Sequence, residues 1–315
     1  MSPVDQSGMT NNGSGLQANF DSQDPEILKV ISNLEARLGI VNETSNQFDL
    51  LSAVRYIPFE NRSGPDFISR DSALIDKERF FLFDNHLERF KIMLQFFSGT
   101  LPFPTDISSE ELLEALQNAV QNPQFDTSKP HKMRVIIKQE LPLKIVVETT
   151  PVTPRVNLYS ALSIENTELA DGPSYTVKVD SDFSMASFNT MFKTTARETY
   201  NAARARCLDP MDPSPQEVII YNGQGEIMEG SISNIAFWRN GEWVTPLLTT
   251  GCLCGVMRHD LLMKDYIKEE DVHLNTLKQG EQVLLFNGIQ GVVKGTIDLS
   301  LYWKSKKDFA KNASK

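Results

Sequence analysis

Phe192-Lys193-Thr194-Thr195-Ala196-Arg197 and, further along, Met228-Glu229-Gly230-Ser231-Ile232-Ser233-Asn234 decide how the rest of the chain is read. The first stretch offers a lysine that can condense with an aldehyde. The second offers a carboxylate at the end of a strand. Neither means much alone, because most lysines and glutamates are solvated. Together they suit a ligand that has both a carbonyl and a basic ring nitrogen.

The composition is that of an ordinary globular protein, with 315 residues, 40% hydrophobic and 23% charged. That length supports two modest domains or one large one. A formal net charge of −10 argues against nucleic acid as a partner, which calls for a basic face. An anionic small molecule remains compatible if local cations hold it. Cys207, Cys252 and Cys254 are too few for a disulfide framework and fit a reducing compartment. Cys252 and Cys254 with His259 do not make the two ligand pairs of a structural zinc site, so no metal is expected. No apolar run reaches membrane-spanning length. Lys29 is the first basic residue, which speaks against a secretory or mitochondrial leader and for a cytoplasmic protein.

Residues 1–24 are rich in Asn, Ser, Gly and Gln and are expected to be disordered. Phe48 to Tyr56 opens the folded part. A helix follows Asp84, with apolar residues at 87, 90, 93, 94 and 97. A second, at 108–122, is signalled by the Ser108/Glu111 capping box and by Pro123 after its end. Strands are expected near 133–138 and 143–149, and Pro151 and Pro154 mark a linker. Beyond it the pattern predicts strands near 156–162, 175–180, 216–221, 233–238, 242–245, 282–287 and 291–295. Asn240-Gly241 is a type I′ hairpin signal. One helix, at 256–267, interrupts them. The fold class is therefore mixed α+β: a smaller α/β domain over 25–152, a larger strand-rich one over 153–303, and a lysine-rich tail over 304–315.

Several short segments occur in a telling order: His86-Leu87-Glu88-Arg89, Lys193-Thr194-Thr195-Ala196-Arg197-Glu198-Thr199-Tyr200, Glu229 to Asn234, Trp243 to Arg258, and Leu285-Phe286-Asn287-Gly288. Through them residues 45 to 300 resemble the fold-type IV pyridoxal-phosphate enzymes (aminotransferase class IV), and within these the 4-amino-4-deoxychorismate lyases, especially fungal ones. The resemblance implies pyridoxal 5′-phosphate as cofactor, a homodimer, and a place in folate biosynthesis. Lys193 would carry the cofactor and, once displaced by the substrate amine, move protons. Glu229 would keep the ring nitrogen protonated. Arg89 would clamp the phosphate through a bidentate guanidinium. Backbone N–H groups of Val256 and Met257, at a helix start, would receive phosphate oxygens, and Asn287 would complete the cup. Many relatives carry Thr where Met257 stands, so only the backbone contact is carried over there.

The implied reaction converts 4-amino-4-deoxychorismate into p-aminobenzoate and pyruvate, with aromatisation as the driving force. Its substrate is anionic, so a local cation is required. Arg55, at the end of the apolar run 50–54, is the candidate, with Asn234 as a second substrate-side residue. An amino-acid transaminase of the branched-chain or D-amino-acid type is the alternative enzyme. Those usually place Tyr five residues after the lysine, whereas Glu198 stands there and Tyr200 lies two further on. The partner of the cofactor ring oxygen is thus unassigned. A cofactor-binding protein with a degenerate site is the non-enzymatic alternative, and retention of both Lys193 and Glu229 argues against it.

Overall fold

A computed structural model describes residues 47–58, 75–162 and 172–305. The tract 1–24 and the segment 306–315 lie outside the described residues. Two sheets organise the fold. The smaller joins β1 (Leu50–Tyr56), β2 (His131–Ile137) and β3 (Ile145–Pro151) as an antiparallel meander. Alternation sorts its side chains. Leu50, Val54 and Tyr56 of β1 and Met133, Val135 and Ile137 of β2 enter one core with α1 (Phe83–Phe97) and α2 (Ser109–Val120). Leu87, Phe90, Met93, Leu94 and Phe97 supply the buried face of α1, as their spacing predicts. The capping box of α2 is formed: Glu111 N–H donates to Ser108 Oγ (3.1 Å) and Ser108 N–H to Glu111 Oε2 (2.8 Å). Leu112 and Leu116 of α2 are fully buried, so this helix serves packing.

The larger sheet contains β4 (Ser174–Val179), β5 (Gln216–Tyr221), β6 (Ile227–Gly230), β7 (Asn234–Arg239), β8 (Glu242–Pro246), β9 (Lys268–Glu270), β10 (Gln282–Asn287) and β11 (Gly291–Asp298). Its order is β6-β5-β4-β11-β10-β7-β8-β9. Four strands separate β6 from β7 in that order, yet only Ser231–Ser233 connect them in sequence. So short a link requires the sheet to curl until its β6 edge meets β7. Glu229 and Asn234 sit on either side of that seam. Both faces of the sheet are covered: Val283 and Leu285 of β10 enter one core, Leu284 and Phe286 another. This explains the unbroken apolar run there, which alternation alone would not give.

Three expectations need correction. The segment 156–162 is not a strand but a turn ending in a 3-10 helix, Ser160–Leu162. Asn157 Oδ1 accepts from Tyr159 N–H (2.8 Å), the local bond of an Asx turn, which competes with strand pairing. The helix α5 (Val256–Met263) stops before 267, and Asp265 just beyond it is left-handed (φ 56°). Helix α4 (Glu198–Cys207) was not expected; its buried residues, Tyr200, Ala203 and Cys207, form a narrow stripe in a segment otherwise rich in Arg and Ala. The Asn240-Gly241 hairpin has positive φ at both positions (51° and 90°), as a type I′ turn requires. No helix among the described residues is long and apolar enough to cross a membrane.

Candidate active site

A cavity of about 360 Å³ lies between the two sheets. Its floor on one side is the second face of the small sheet, where Leu51 and Ala53 of β1 neighbour Lys132 and Arg134 of β2. The β6–β7 seam, the start of α5 and the β10–β11 turn enclose the rest. The segment carrying Lys193 ties the sheets together. It follows the short helix α3 (Phe188–Met191) and pairs with the start of β1: Leu51 N–H donates to Lys193 O (2.8 Å) and Thr195 N–H to Asp49 O (2.9 Å).

Lys193 lines the cavity, and among the described residues its Nζ makes no hydrogen bond or ion pair. Burial, reinforced by Arg89 and Arg197, pushes its pKa down to about 7. A good part of it is therefore a neutral amine near neutral pH, where an ordinary lysine is almost wholly charged. Glu229 shifts the other way: burial pushes its pKa up to about 7. Three donors restrain that rise or fix the carboxylate. Tyr200 Oη donates to Oε1 (2.7 Å), Leu253 N–H to Oε1 (3.3 Å), and Asn234 Nδ2 to Oε2 (3.2 Å).

Arg89 projects from α1 into the same cavity, and its Nη2 donates to Ser52 Oγ (2.6 Å). Ser52 Oγ also shares a hydrogen bond with Nδ1 of the His86 imidazole (2.6 Å). Burial and the neighbouring Arg89 and Lys193 keep that ring neutral by lowering its pKa. Among the described residues, Arg89 Nε and His86 Nε2 are both buried without a hydrogen-bond partner. A Cβ on Gly255 would lie 2.1 Å from Asn234 Oδ1, and one on Gly288 3.0 Å from Val256 Cγ2. Gly255 is the N-cap residue of α5, so the N–H groups of Val256, Met257 and Arg258 precede the first bond of that helix, from His259 N–H to Gly255 O (2.9 Å).

The structure brings Lys193, Arg89, Glu229, Asn234, Val256 and Asn287 to one cavity. Asn234 spends its amide on Glu229 and on Leu253 O (2.8 Å). Asn287 Oδ1 accepts from Ile289 and Gln290 N–H (2.9 and 3.0 Å) and shapes the β10–β11 turn. Of the expected side chains, that of Arg55 does not line the cavity. Met257 is fully buried in the core with Leu261 and Phe286, so only its backbone can face the cavity. Arg55 shares the strand face of Ala53, but its guanidinium donates to Ile289 O (2.7 Å) and Thr153 O (2.9 Å). Lys132 and Arg134 were not singled out. The signal was available, since both alternate with Met133 and Val135 and so must face away from the core. Arg134 pairs with Glu148 (2.7 Å) on the exposed strand β3.

The profile of the class IV amino-transferase family matches residues 71–296. A Saccharomyces cerevisiae protein named aminodeoxychorismate lyase is 34% identical over 265 residues, covering 72% of this chain and 70% of that protein. A Schizosaccharomyces pombe relative is 34% identical over 231 residues, covering 72% of this chain and 88% of its own. Among solved structures, a branched-chain aminotransferase from Thermoproteus uzoniensis superposes with a TM-score of 0.56 at 17% identity, over 82% of this chain and 84% of that one. At that identity it speaks for the fold alone.

Proposed function

Because this chain belongs to the class IV aminotransferase family, we propose that it is a pyridoxal 5′-phosphate-dependent lyase that converts 4-amino-4-deoxychorismate into p-aminobenzoate and pyruvate. One observation carries the reading: a lysine with a lowered pKa, its amine unbonded among the described residues, shares one cavity with a buried carboxylate and two cations from β2. The activity named for the yeast relative selects the lyase within the family. Glu198, where related transaminases carry tyrosine, is exposed on α4 and contributes nothing to the cavity.

The residues present fit the cofactor. Arg89 Nε is a buried donor and His86 Nε2 a buried ring nitrogen, neither bonded among the described residues, and the N–H groups at the start of α5 add the positive end of a helix. Gly255 and Gly288 let the side chains of Asn234 and Val256 pack close beside them. These groups would hold the phosphate, Lys193 would hold the aldehyde carbon, and Glu229 the ring nitrogen. When bound, pyridoxal 5′-phosphate supplies a carbonyl for amines and a ring that accepts electron density while its nitrogen is protonated.

Lys193 Nζ, released as a neutral amine when the substrate's amine takes its place, removes the proton from the carbon bearing that nitrogen. The resulting ammonium then delivers a proton to the methylene carbon of the departing enolpyruvyl group, which leaves as pyruvate. The ring left behind is aromatic, and the proton count closes on one lysine. Lys132 and Arg134 face the cavity from β2 and would hold substrate carboxylates in an otherwise acidic protein.

The test is direct: purified protein loaded with the cofactor and given aminodeoxychorismate should release p-aminobenzoate and pyruvate in equal amounts. Transfer of the amine to 2-oxoglutarate, with no pyruvate released, would instead make it a transaminase. The phosphate assignment has its own check in Arg89→Ala. Losing a buried, charge-assisted donor should weaken cofactor binding by about 2–3 kcal/mol, or ~30–150-fold. Equilibrium titration of the apo-protein measures it, and unchanged affinity would place the phosphate elsewhere.

A further inference from the structure

Arg197 and Tyr200 end the lysine run, and the reaction above gives them no role. We propose that they form a positioning unit for Glu229, in which Tyr200 holds one carboxylate oxygen and Arg197 holds both Tyr200 and the backbone of the β6–β7 seam. This rests on the cofactor reading, since it says how the partner of the ring nitrogen is kept charged and aimed.

The spacing follows from the helix. Arg197 is the N-cap residue of α4 and Tyr200 stands three residues later, on the same side. The Arg197 guanidinium lies over the Tyr200 ring, 4.9 Å from its centroid, and its Nη2 donates to Ser231 O (2.7 Å). Tyr200 Oη has one proton and two acceptors within reach, Glu229 Oε1 at 2.7 Å and Thr190 O at 3.3 Å. The shorter contact to a carboxylate takes it. On the other side, Asn234 Nδ2 bridges Glu229 Oε2 and Leu253 O, and the missing Cβ of Gly255 makes the room that Asn234 Oδ1 occupies there. Glu229 is thus gripped from α4, from β7 and from the Leu253 backbone, while it still lines the cavity.

The seam itself is anchored from the same helix. Arg204 Nη1 donates to Ser231 Oγ (2.8 Å), and the buried Glu217 accepts from Ser231 N–H (3.0 Å) and Oγ (2.5 Å). The charged and titratable groups that face Glu229 are Lys193, Arg197, Tyr200 and Cys252. Burial favours the neutral acid; the Tyr200 hydroxyl, the Leu253 N–H and the two cations oppose it. Without Tyr200's proton the carboxylate would lose its strongest donor and its pKa would rise further. A protonated Glu229 can no longer stabilise a positive ring nitrogen.

A purely structural Tyr200 would also be buried, with Ala203 and Cys207 in the core under α4. Titration separates the two roles. In the full-length apo-protein, Glu229 ionisation can be followed by infrared difference against Glu229→Gln. Tyr200→Phe should raise its midpoint by about one unit or more while the fold survives. Arg197→Gln should move it the same way, because a nearby cation is lost. With cofactor bound, the acid limb of kcat in Tyr200→Phe should shift upward equally, and activity should recover as pH rises. An unmoved Glu229 titration with an equal loss at every pH would reduce Tyr200 to packing and overturn the proposal. Failure of the wild-type protein to take up pyridoxal phosphate would overturn the cofactor assignment instead, and the apo titration would still decide the clamp.

Discussion

Lys193→Ala is expected to fold normally and to release no pyruvate above background, a loss of at least ~10³-fold. Folding should survive because Nζ bonds to nothing among the described residues, and removing a desolvated amine relieves a cost rather than a contact. Catalysis should not survive, because the same nitrogen both holds the cofactor and carries the proton. The variant should still bind pyridoxal phosphate, more weakly, through Arg89 and the start of α5, but should not be trapped covalently by borohydride. In the wild-type apo-protein the amine should react with aldehydes increasingly as pH rises through about 7. The sign follows from the neutral form being the nucleophile, and a lysine at its ordinary pKa would need a pH near 10. Wild-type turnover in Lys193→Ala would end the assignment.

What was legible in the sequence was what local rules decide. The capping box of α2, the Asn240-Gly241 turn and the periodic face of α1 depend on a few neighbouring residues, and each formed where its letters stand. The curled sheet was not legible, because nothing near Ser231–Ser233 says that β5, β4, β11 and β10 fill the gap between β6 and β7. Site residues divide along the same line. Lys193, Glu229 and Arg89 sit in ordered motifs, and one cavity holds all three. Arg55 shares a strand face with Ala53, but its guanidinium meets the carbonyls of Ile289 and Thr153 and does not line the cavity. Lys132 and Arg134 line the cavity from β2, which follows from where β1 and β2 run past it. Met257 is a matter of helical phase, one residue beyond Val256 and turned into the core.

Glu229→Gln tests the other pole of the site and should separate charge from shape. The amide is nearly isosteric, but its surroundings are all donors. With its oxygen toward Tyr200 Oη and Leu253 N–H, its NH₂ must face Asn234 Nδ2, the partner of Oε2 at 3.2 Å. Asn234 cannot turn its own oxygen there without surrendering the bond to Leu253 O. One donor is left unpaired either way, at a cost of about 1–3 kcal/mol in stability. The functional loss should be larger, on the order of 10²–10³-fold in kcat, because a neutral amide does not stabilise a protonated ring nitrogen. Colour from the bound cofactor should remain, since Lys193 is untouched. A second readout fixes the sign. The Glu229 charge raises the Lys193 pKa, so its removal should move the apo-protein's aldehyde reactivity to lower pH, below about 7. A variant with wild-type kcat, or with Lys193 reactivity moved to higher pH, would show that Glu229 does not face the lysine as a charge and would break the pairing on which the site is built.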